Sequence, residues 1–211
     1  DHTEYYCTTR EAQEILPTIP FYCDEPFGDS SFIPTTLVSR LARQEVTVAL
    51  SADAGDEIFA GYPKYPLALD FLKKMSMVPG FMNTPAASIM QQMPDSWLIR
   101  LSGNTAASIK KERFSGLLKE KRLTSTGIMD RLMSQVYSDH QLSGLLRQSP
   151  VRPYSFFDSE ELLSQSLGPL DKMLAVDYKT YMVDDILVKV DRAGMSVSLE
   201  GREPLLDHRI I

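Results

Sequence analysis

The sequence predicts a predominantly helical α/β protein with a parallel sheet. An amphipathic helical pattern over residues 33–43 leads directly into the short β-branched run Val46–Leu50, which is suited to a buried strand. A helix followed by a buried strand is typical of parallel α/β sheets. From Leu67 to Tyr181 the chain carries mostly helix-length patterns separated by Pro and Gly. We therefore expect a sheet accompanied by a large helical portion.

The composition indicates a folded domain and excludes two classes of partner. The 211 residues are 43% hydrophobic and 24% charged, which are ordinary values for a globular chain. A formal net charge of −6 leaves no basic footprint for DNA or RNA. No apolar run approaches the roughly 18 residues that a membrane span needs, and no targeting segment opens the chain. The sequence predicts a cytoplasmic protein without a nucleic-acid or membrane partner.

Prolines and a second helical pattern shape the two ends of the chain. Pro17, Pro20 and Pro26 are expected to hold their segment extended.

Residues 170–198 contain two helical patterns that meet near Val183 and Asp184. The second pattern has an apolar stripe beside a face that carries cations. The stripe consists of Ile186, Val190, Ala193 and Val197.

The strongest candidate site is the acidic turn Ser51–Glu57 (SADAGDE), which follows the predicted strand directly. Ligands of open parallel sheets bind beyond the carboxyl ends of the strands, where a loop and a helix amino terminus supply donors. Small residues allow a backbone to approach a ligand closely, and carboxylates suit a magnesium ion shared with phosphate oxygens. An alternative stays open, in which these acids only cap a helix and complement its dipole.

Lys189 and Arg192 form a second candidate on the last predicted helix. Cations on one helical face can stabilise the negative charge that develops in phosphoryl or adenylyl transfer. The alternative is a solvated face with local ion pairs to Asp185 and Asp191. The run 200–204 (EGREP) is equally ambiguous.

Three ordered blocks give the chain a family resemblance. They are Tyr22–Ser31 (YCDEPFGDSS) with Ile33-Pro34, then Val46–Tyr62, and then Asp184–His208. Together they resemble the synthetase domain of glutamine-hydrolysing asparagine synthetases, and also related β-lactam synthetases and surface-polysaccharide amidotransferases. The resemblance implies part of a parallel sheet like that of adenine-nucleotide alpha-hydrolases of the ATP-pyrophosphatase type. It extends over nearly the whole chain, although residues 67–170 contain no motif that anchors it.

The resemblance also implies roles for individual residues. The backbone of Ser51 and Ala52 would bind the adenine nucleotide. Asp53 would take part in forming an acyl-adenylate, and Asp56 would bind magnesium. Tyr62 would line the reaction chamber. Arg192 would lie near the intermediate. The implied cofactors are ATP and Mg²⁺.

The implied reaction is the amidation of a carboxylate, with aspartate as the expected acceptor. Ammonia would come from a glutaminase domain, and a homodimer is left open. A sugar acid as acceptor, or a non-catalytic scaffold domain, are the alternatives. The pyrophosphate-binding loop and the glutaminase domain of the family are not among these residues, which read as a carboxy-terminal part. We therefore expect the 211 residues alone to be inactive.

Several positions depart from the family pattern. Alanine replaces a usual glycine at positions 52, 54 and 60, which adds a methyl group where ligand or backbone approach is close. Gly194 stands where serine is common. Glu203 and Leu205 replace a typical valine and phenylalanine. These differences concern nucleotide affinity and substrate choice more than the fold.

Overall fold

The structure is a computed structural model of the chain. It describes residue 4 and residues 6–94, 96–97, 100, 107–118, 123–131, 139–147, 156–158 and 166–210. Among these residues no helix combines the length and apolarity needed to cross a membrane. The described chain forms two compact units, residues 1–61 with 177–211 and residues 62–176.

Helices dominate the described secondary structure. The α-helices are α1 Thr9–Ile15, α2 Ile19–Tyr22, α3 Phe32–Glu45, α4 Gly55–Ile58, α5 Lys64–Ser76, α6 Asn83–Gln92, α7 Ala107–Leu118, α8 Ser125–Met129, α9 Asp139–Leu145, α10 Pro169–Lys179 and α11 Leu187–Met195. The strands are β1 Val48–Leu50 and β2 Glu200–Arg202. Short 3₁₀ turns lie at Leu16–Thr18, Gly80–Met82, Phe156–Asp158 and Pro204–Leu206, and a π-helical turn spans Met182–Ile186. The predicted mixture of a parallel sheet and a large helical portion is confirmed, and the sheet in the described residues has two strands.

The amino-terminal segment corrects one prediction. Thr8 caps α1 with a capping box. Its hydroxyl oxygen accepts a hydrogen bond from the Glu11 amide, and the Glu11 carboxylate accepts one from the Thr8 amide. Pro17 and Pro20 then lie in the first turns of the 3₁₀ turn and of α2, so the predicted extended conformation is wrong there. The reason is that proline lacks only an N–H that a first turn does not use.

The first unit is held together by the packing of α3 against α11. Cys23 and Phe32 form a buried cluster with Ala193 of the predicted apolar stripe. Ile186 of the same stripe is buried in a second cluster with Ala54 and Met182. The acidic turn is therefore anchored through a methyl group to the segment that leads into α11.

The two strands form a parallel pair. Val48 lies opposite Glu200, and Leu50 lies opposite Arg202. The predicted strand is present but shorter, and its predicted burial is wrong, because Leu50 is 74% exposed and Val48 is 36% exposed. Only one partner strand borders β1 among the described residues, so its apolar side chains are incompletely covered.

The helical prediction for residues 67–181, most of which form the second unit, is confirmed in their described part, where every element is helical. Helix α6 packs against α7, and α5 packs against α8. The rings of Phe71 and Phe114 meet edge to face at 5.0 Å. At the chain's return to the first unit, the two predicted helical patterns meet in the π-helical turn, close to the predicted Val183 and Asp184.

Candidate functional site at the carboxyl edge of the sheet

Both strands of the first unit end at the same edge of the sheet, because they are parallel. The Ser51 amide donates to the Arg202 carbonyl at 2.9 Å, which continues the ladder by one residue beyond β1. The acidic turn therefore leaves the sheet beside Glu203, which follows β2. This is the edge at which α/β proteins bind ligands.

The acidic turn is ordered by its own side chains. The Ser51 hydroxyl donates to the Asp53 carboxylate, and the Asp53 amide donates back to the same hydroxyl oxygen at 3.2 Å. Ala54 follows with φ of 76°, in the left-handed region that favours glycine, and α4 begins at the next residue. The backbone thus keeps the sharp turn of a glycine-rich motif although position 54 carries a methyl group.

Asp56 and Gly61 form a second local arrangement. The Gly61 amide donates to the Asp56 carbonyl at 2.9 Å. A Cβ atom at position 61 would lie 1.9 Å from the Asp56 Oδ1 atom, so the exposed carboxylate folds over the glycine. Glycine at position 61 is therefore a steric requirement for the observed place of the Asp56 carboxylate.

Two cations of α11 are paired with the loop between α2 and α3, residues 23–31. The Lys189 Nζ atom donates to Asp29 Oδ2 at 2.9 Å, and the two side chains are only 11% and 19% exposed. Asp29 also accepts from the Ser31 amide at 2.8 Å and from the Ser31 hydroxyl at 2.6 Å. Burial alone would raise the pKa of Asp29, but the hydrogen bonds from Ser31 and Lys189 outweigh it and lower that pKa.

The second pair joins Arg192 to Asp24. The Nη2 atom of Arg192 lies 2.5 Å from Asp24 Oδ2, and the side chains are 42% and 80% exposed. This pair is accessible to water, in contrast to the pair of Lys189 with Asp29. Burial raises the pKa of the neighbouring Cys23 thiol. The positive charge of Arg192 lowers that pKa and so offsets part of the rise.

A cavity of about 440 Å³ lies between α3, the strands and α11. It brings the acidic turn and α11 together, since Ser51, Asp53 and Lys189 all line it. Much of the remaining wall is apolar and includes Val38 and Leu50. Because Val38 and Leu50 are 61% and 74% exposed, the cavity is an open depression, and its few convergent polar groups make it a candidate small-molecule site.

The other predicted site residues do not all reach this cavity. Ala52, Asp56 and Arg192 belong to the same unit but are not among the lining residues. Tyr62 belongs to the second unit, where its ring lies 6.1 Å from that of Tyr65, with the Lys64 Nζ atom 4.9 Å from its centre. The roles assigned to these four residues stay predictions.

Asp29 and Glu203 were given no role by sequence reasoning. Asp29 was visible as an acceptor in a polar loop, but its partner lies 160 positions away in the chain. Burial raises the pKa of Glu203, and the nearby carboxylate of Asp53 raises it further. The parallel register, which aligns residues 50 and 202, brings Asp53 and Glu203 close together.

The acidic turn offers one exposed carboxylate, that of Asp56, as a candidate magnesium ligand. Within the described residues no three His, Cys, Asp or Glu side chains are grouped closely enough to form a metal site. Magnesium commonly uses only one or two protein carboxylates and completes its shell with phosphate oxygens and water. Asp56, exposed and held over Gly61, can supply such a ligand.

A parallel strand pair with an acidic turn and a lysine around one cavity defines an α/β domain with a candidate ligand site at the carboxyl edge of its sheet. The chain belongs to the asparagine synthase family, whose model matches residues 1–211. The family resemblance seen in the sequence is thereby confirmed.

Individual relatives agree with this assignment. The chain is 31% identical to asparagine synthetase [glutamine-hydrolyzing] 1 of Bacillus subtilis over 91% of this chain and 28% of the relative. It is 28% identical to the putative asparagine synthetase [glutamine-hydrolyzing] 2 of Methanocaldococcus jannaschii, over 92% of this chain and 34% of the relative. The chain therefore spans about a third or less of the length of these curated relatives. No solved structure matches it.

Proposed function

We propose that the protein carrying this chain is an ATP-dependent amidotransferase that converts a carboxylate, aspartate in the first instance, into its amide. The observation that carries the proposal is the shared cavity of Ser51, Asp53 and Lys189 in a member of the asparagine synthase family. The strand pair would belong to a larger sheet of the ATP-pyrophosphatase type. Ammonia would come from a glutaminase domain of the complete protein.

The proposed chemistry has two balanced steps. A carboxylate oxygen of the acceptor attacks the α-phosphorus of ATP, and the bond from this phosphorus to the β-phosphate oxygen breaks, which releases pyrophosphate. Ammonia then attacks the acyl carbon, loses a proton and displaces AMP. The activated intermediate replaces one difficult substitution by two easier ones.

The residues of the first unit have distinct proposed parts. The backbone of Ser51 and Ala52 approaches the nucleotide, and Asp53 assists adenylate formation. Lys189 presents a positive charge in a site of restricted water access, where it offsets the charge that develops on the phosphates. For Arg192, and for Tyr62 of the second unit, we keep the roles that the family resemblance implies, near the intermediate and at the wall of the reaction chamber. Magnesium, held by Asp56 and the phosphates, would neutralise part of the triphosphate charge.

The direct test is a product balance with the complete natural protein. Incubation with ATP, magnesium, L-aspartate and glutamine should give AMP, pyrophosphate and asparagine in equal amounts. Formation of ADP instead of AMP would contradict adenylation. A panel of sugar acids in place of aspartate tests the alternative acceptor, and a melting temperature unmoved by magnesium-ATP would favour a scaffold role.

Several predictions of the sequence stay predictions. These are the inactivity of the 211 residues alone, the cytoplasmic location and the homodimer. Pyrophosphate release from ATP by the isolated chain would overturn the first of them.

A further inference from the structure

One loop supplies the counter-ions for both cations of α11. Asp29 pairs with Lys189 and Asp24 pairs with Arg192, and the two carboxylates stand only five positions apart. The loop is tied to the core between them, because Phe27 stacks edge to face on Phe32 at 5.8 Å. The negative charge of the loop therefore lies against the positive face of α11.

The two pairs differ in how easily they can open. The side chains of Lys189 and Asp29 are nearly buried, and Ser31 adds two hydrogen bonds to Asp29. Separating them would leave a charge without compensation in a poorly hydrated place, which is costly. The Asp24 carboxylate is 80% exposed, so water can replace it at Arg192 at little cost. Asp29 is a fixed anchor, whereas Asp24 can be displaced.

We propose that Asp24 is a built-in counter-ion that holds Arg192 until an anionic ligand takes its place, and that it thereby weakens and tunes the binding of that ligand. A phosphate or carboxylate that approaches the guanidinium must displace the Asp24 carboxylate or be repelled by it. Displacement of Asp24 and repulsion by Asp24 would both weaken the binding of the ligand. The inference rests on the proposed function, because it takes the ligand of Arg192 to be the anionic nucleotide or its adenylate.

The test measures magnesium-ATP affinity of the complete protein by calorimetry at low salt. Asp24→Asn keeps the size of the side chain but removes its charge, and it should tighten ATP binding two- to five-fold, the range expected from an exposed ion pair. The gain should fade at high salt, because exposed charges are screened. Glu25→Gln is the matched control, since it removes an equal charge from the adjacent exposed residue and should change the affinity little.

A second variant ties the effect to Arg192. In an Arg192→Gln background, Asp24→Asn should no longer tighten ATP binding. An equal gain from Glu25→Gln, a gain that persists without Arg192, or weaker binding by Asp24→Asn would each overturn the inference. A failure of the unchanged protein to bind ATP would instead overturn the proposed function, and this inference with it.

Discussion

Two alanines of the acidic region adopt a backbone conformation that favours glycine. Ala54 has φ of 76° and Ala60 has φ of 58°. A non-glycine residue in this region costs roughly 1–2 kcal/mol. The methyl group of Ala54 is buried against Met182 and Ile186, whereas Ala60 is only half-buried. Burial of the methyl group therefore offsets the backbone strain at Ala54 more than at Ala60.

We expect Ala60→Gly to stabilise the protein by about 0.5 kcal/mol, because relief of strain exceeds the greater freedom that glycine gives the unfolded chain. Ala54→Gly should instead destabilise it by about 0.5 kcal/mol, because it also removes a buried methyl group. Urea unfolding of the two variants beside the unchanged protein measures both. Stabilisation by Ala54→Gly equal to that by Ala60→Gly would show that the buried methyl group contributes nothing.

Gly61 allows a specific test of the Asp56 carboxylate. Gly61→Ala should push this carboxylate aside, because the added Cβ atom would lie 1.9 Å from Oδ1 and 3.1 Å from the Asp56 Cα atom. We expect a loss of about 1–2 kcal/mol in unfolding free energy and a higher magnesium requirement for ATP turnover. In an Asp56→Ala background the stability loss should shrink. A loss of unchanged size there would indicate a clash with the backbone alone.

At the scale of elements, the end of α11 depends on the absence of a side chain at Gly194. The Leu199 amide donates to the Gly194 carbonyl at 3.0 Å, and Ser198 takes φ of 63°, which together form a Schellman-type helix end. A Cβ atom at position 194 would lie 2.9 Å from the Leu199 carbonyl oxygen. The sequence flagged this glycine as a departure from the family pattern but gave no reason for it.

Gly194→Ser should therefore destabilise the first unit by about 1–3 kcal/mol, because the backbone of the connection to β2 has to shift. Gly28→Ala is the matched control, since nothing lies within 4 Å of a Cβ atom placed there. Thermal unfolding of both variants tests the prediction. Equal melting temperatures for the Gly194 variant and the unchanged protein would mean that this turn accommodates a side chain freely.

The contact between the loop and α11 should make stability depend on pH. The folded state lowers the pKa of Asp29, so its stabilising contribution is complete above the usual aspartate pKa of about 4 and is lost as the pH falls through the lower folded value. Asp29→Asn should cost about 2 kcal/mol at pH 7, and the difference should narrow below about pH 4. Urea titrations at several pH values measure this.

Asp70→Asn provides the comparison, because Asp70 pairs with Lys74 one helical turn away, with side chains 56% and 71% exposed. Such a pair contributes little to stability, so the unfolding free energy of this variant should stay close to that of the unchanged protein at every pH. A difference for Asp29→Asn that stays constant through acid would contradict the assigned partner of Lys189.

The elements and the acidic turn could be predicted from local sequence, but their partners could not. The spacing of apolar residues predicted α3 and α11, and the small acidic run predicted Ser51 and Asp53 as site residues, which both line the cavity. Burial of β1 was overpredicted because apolar composition does not reveal how many strands surround it. The role of Asp29 depends on a contact across 160 positions, which no local pattern contains.

At the scale of the whole molecule, the described chain is divided between two units. Of the six residues to which the family resemblance gives a role, five lie in the first unit and Tyr62 lies in the second. Within the first unit alone, we propose that the cavity places Asp53 of the turn and Lys189 of α11 around one anionic substrate. The proposed roles of Ser51, Asp53 and Lys189 depend on that juxtaposition.

The most direct test is aspartate-dependent exchange of pyrophosphate into ATP, which reports adenylation without the amidation step. In the complete protein, Asp53→Asn and Lys189→Met should each lower the exchange rate by about 100-fold or more, while Asp70→Asn retains it. Circular dichroism checks that the variants are folded. Exchange at the unchanged rate in folded Asp53→Asn and Lys189→Met proteins would contradict the proposed role of the cavity in adenylation.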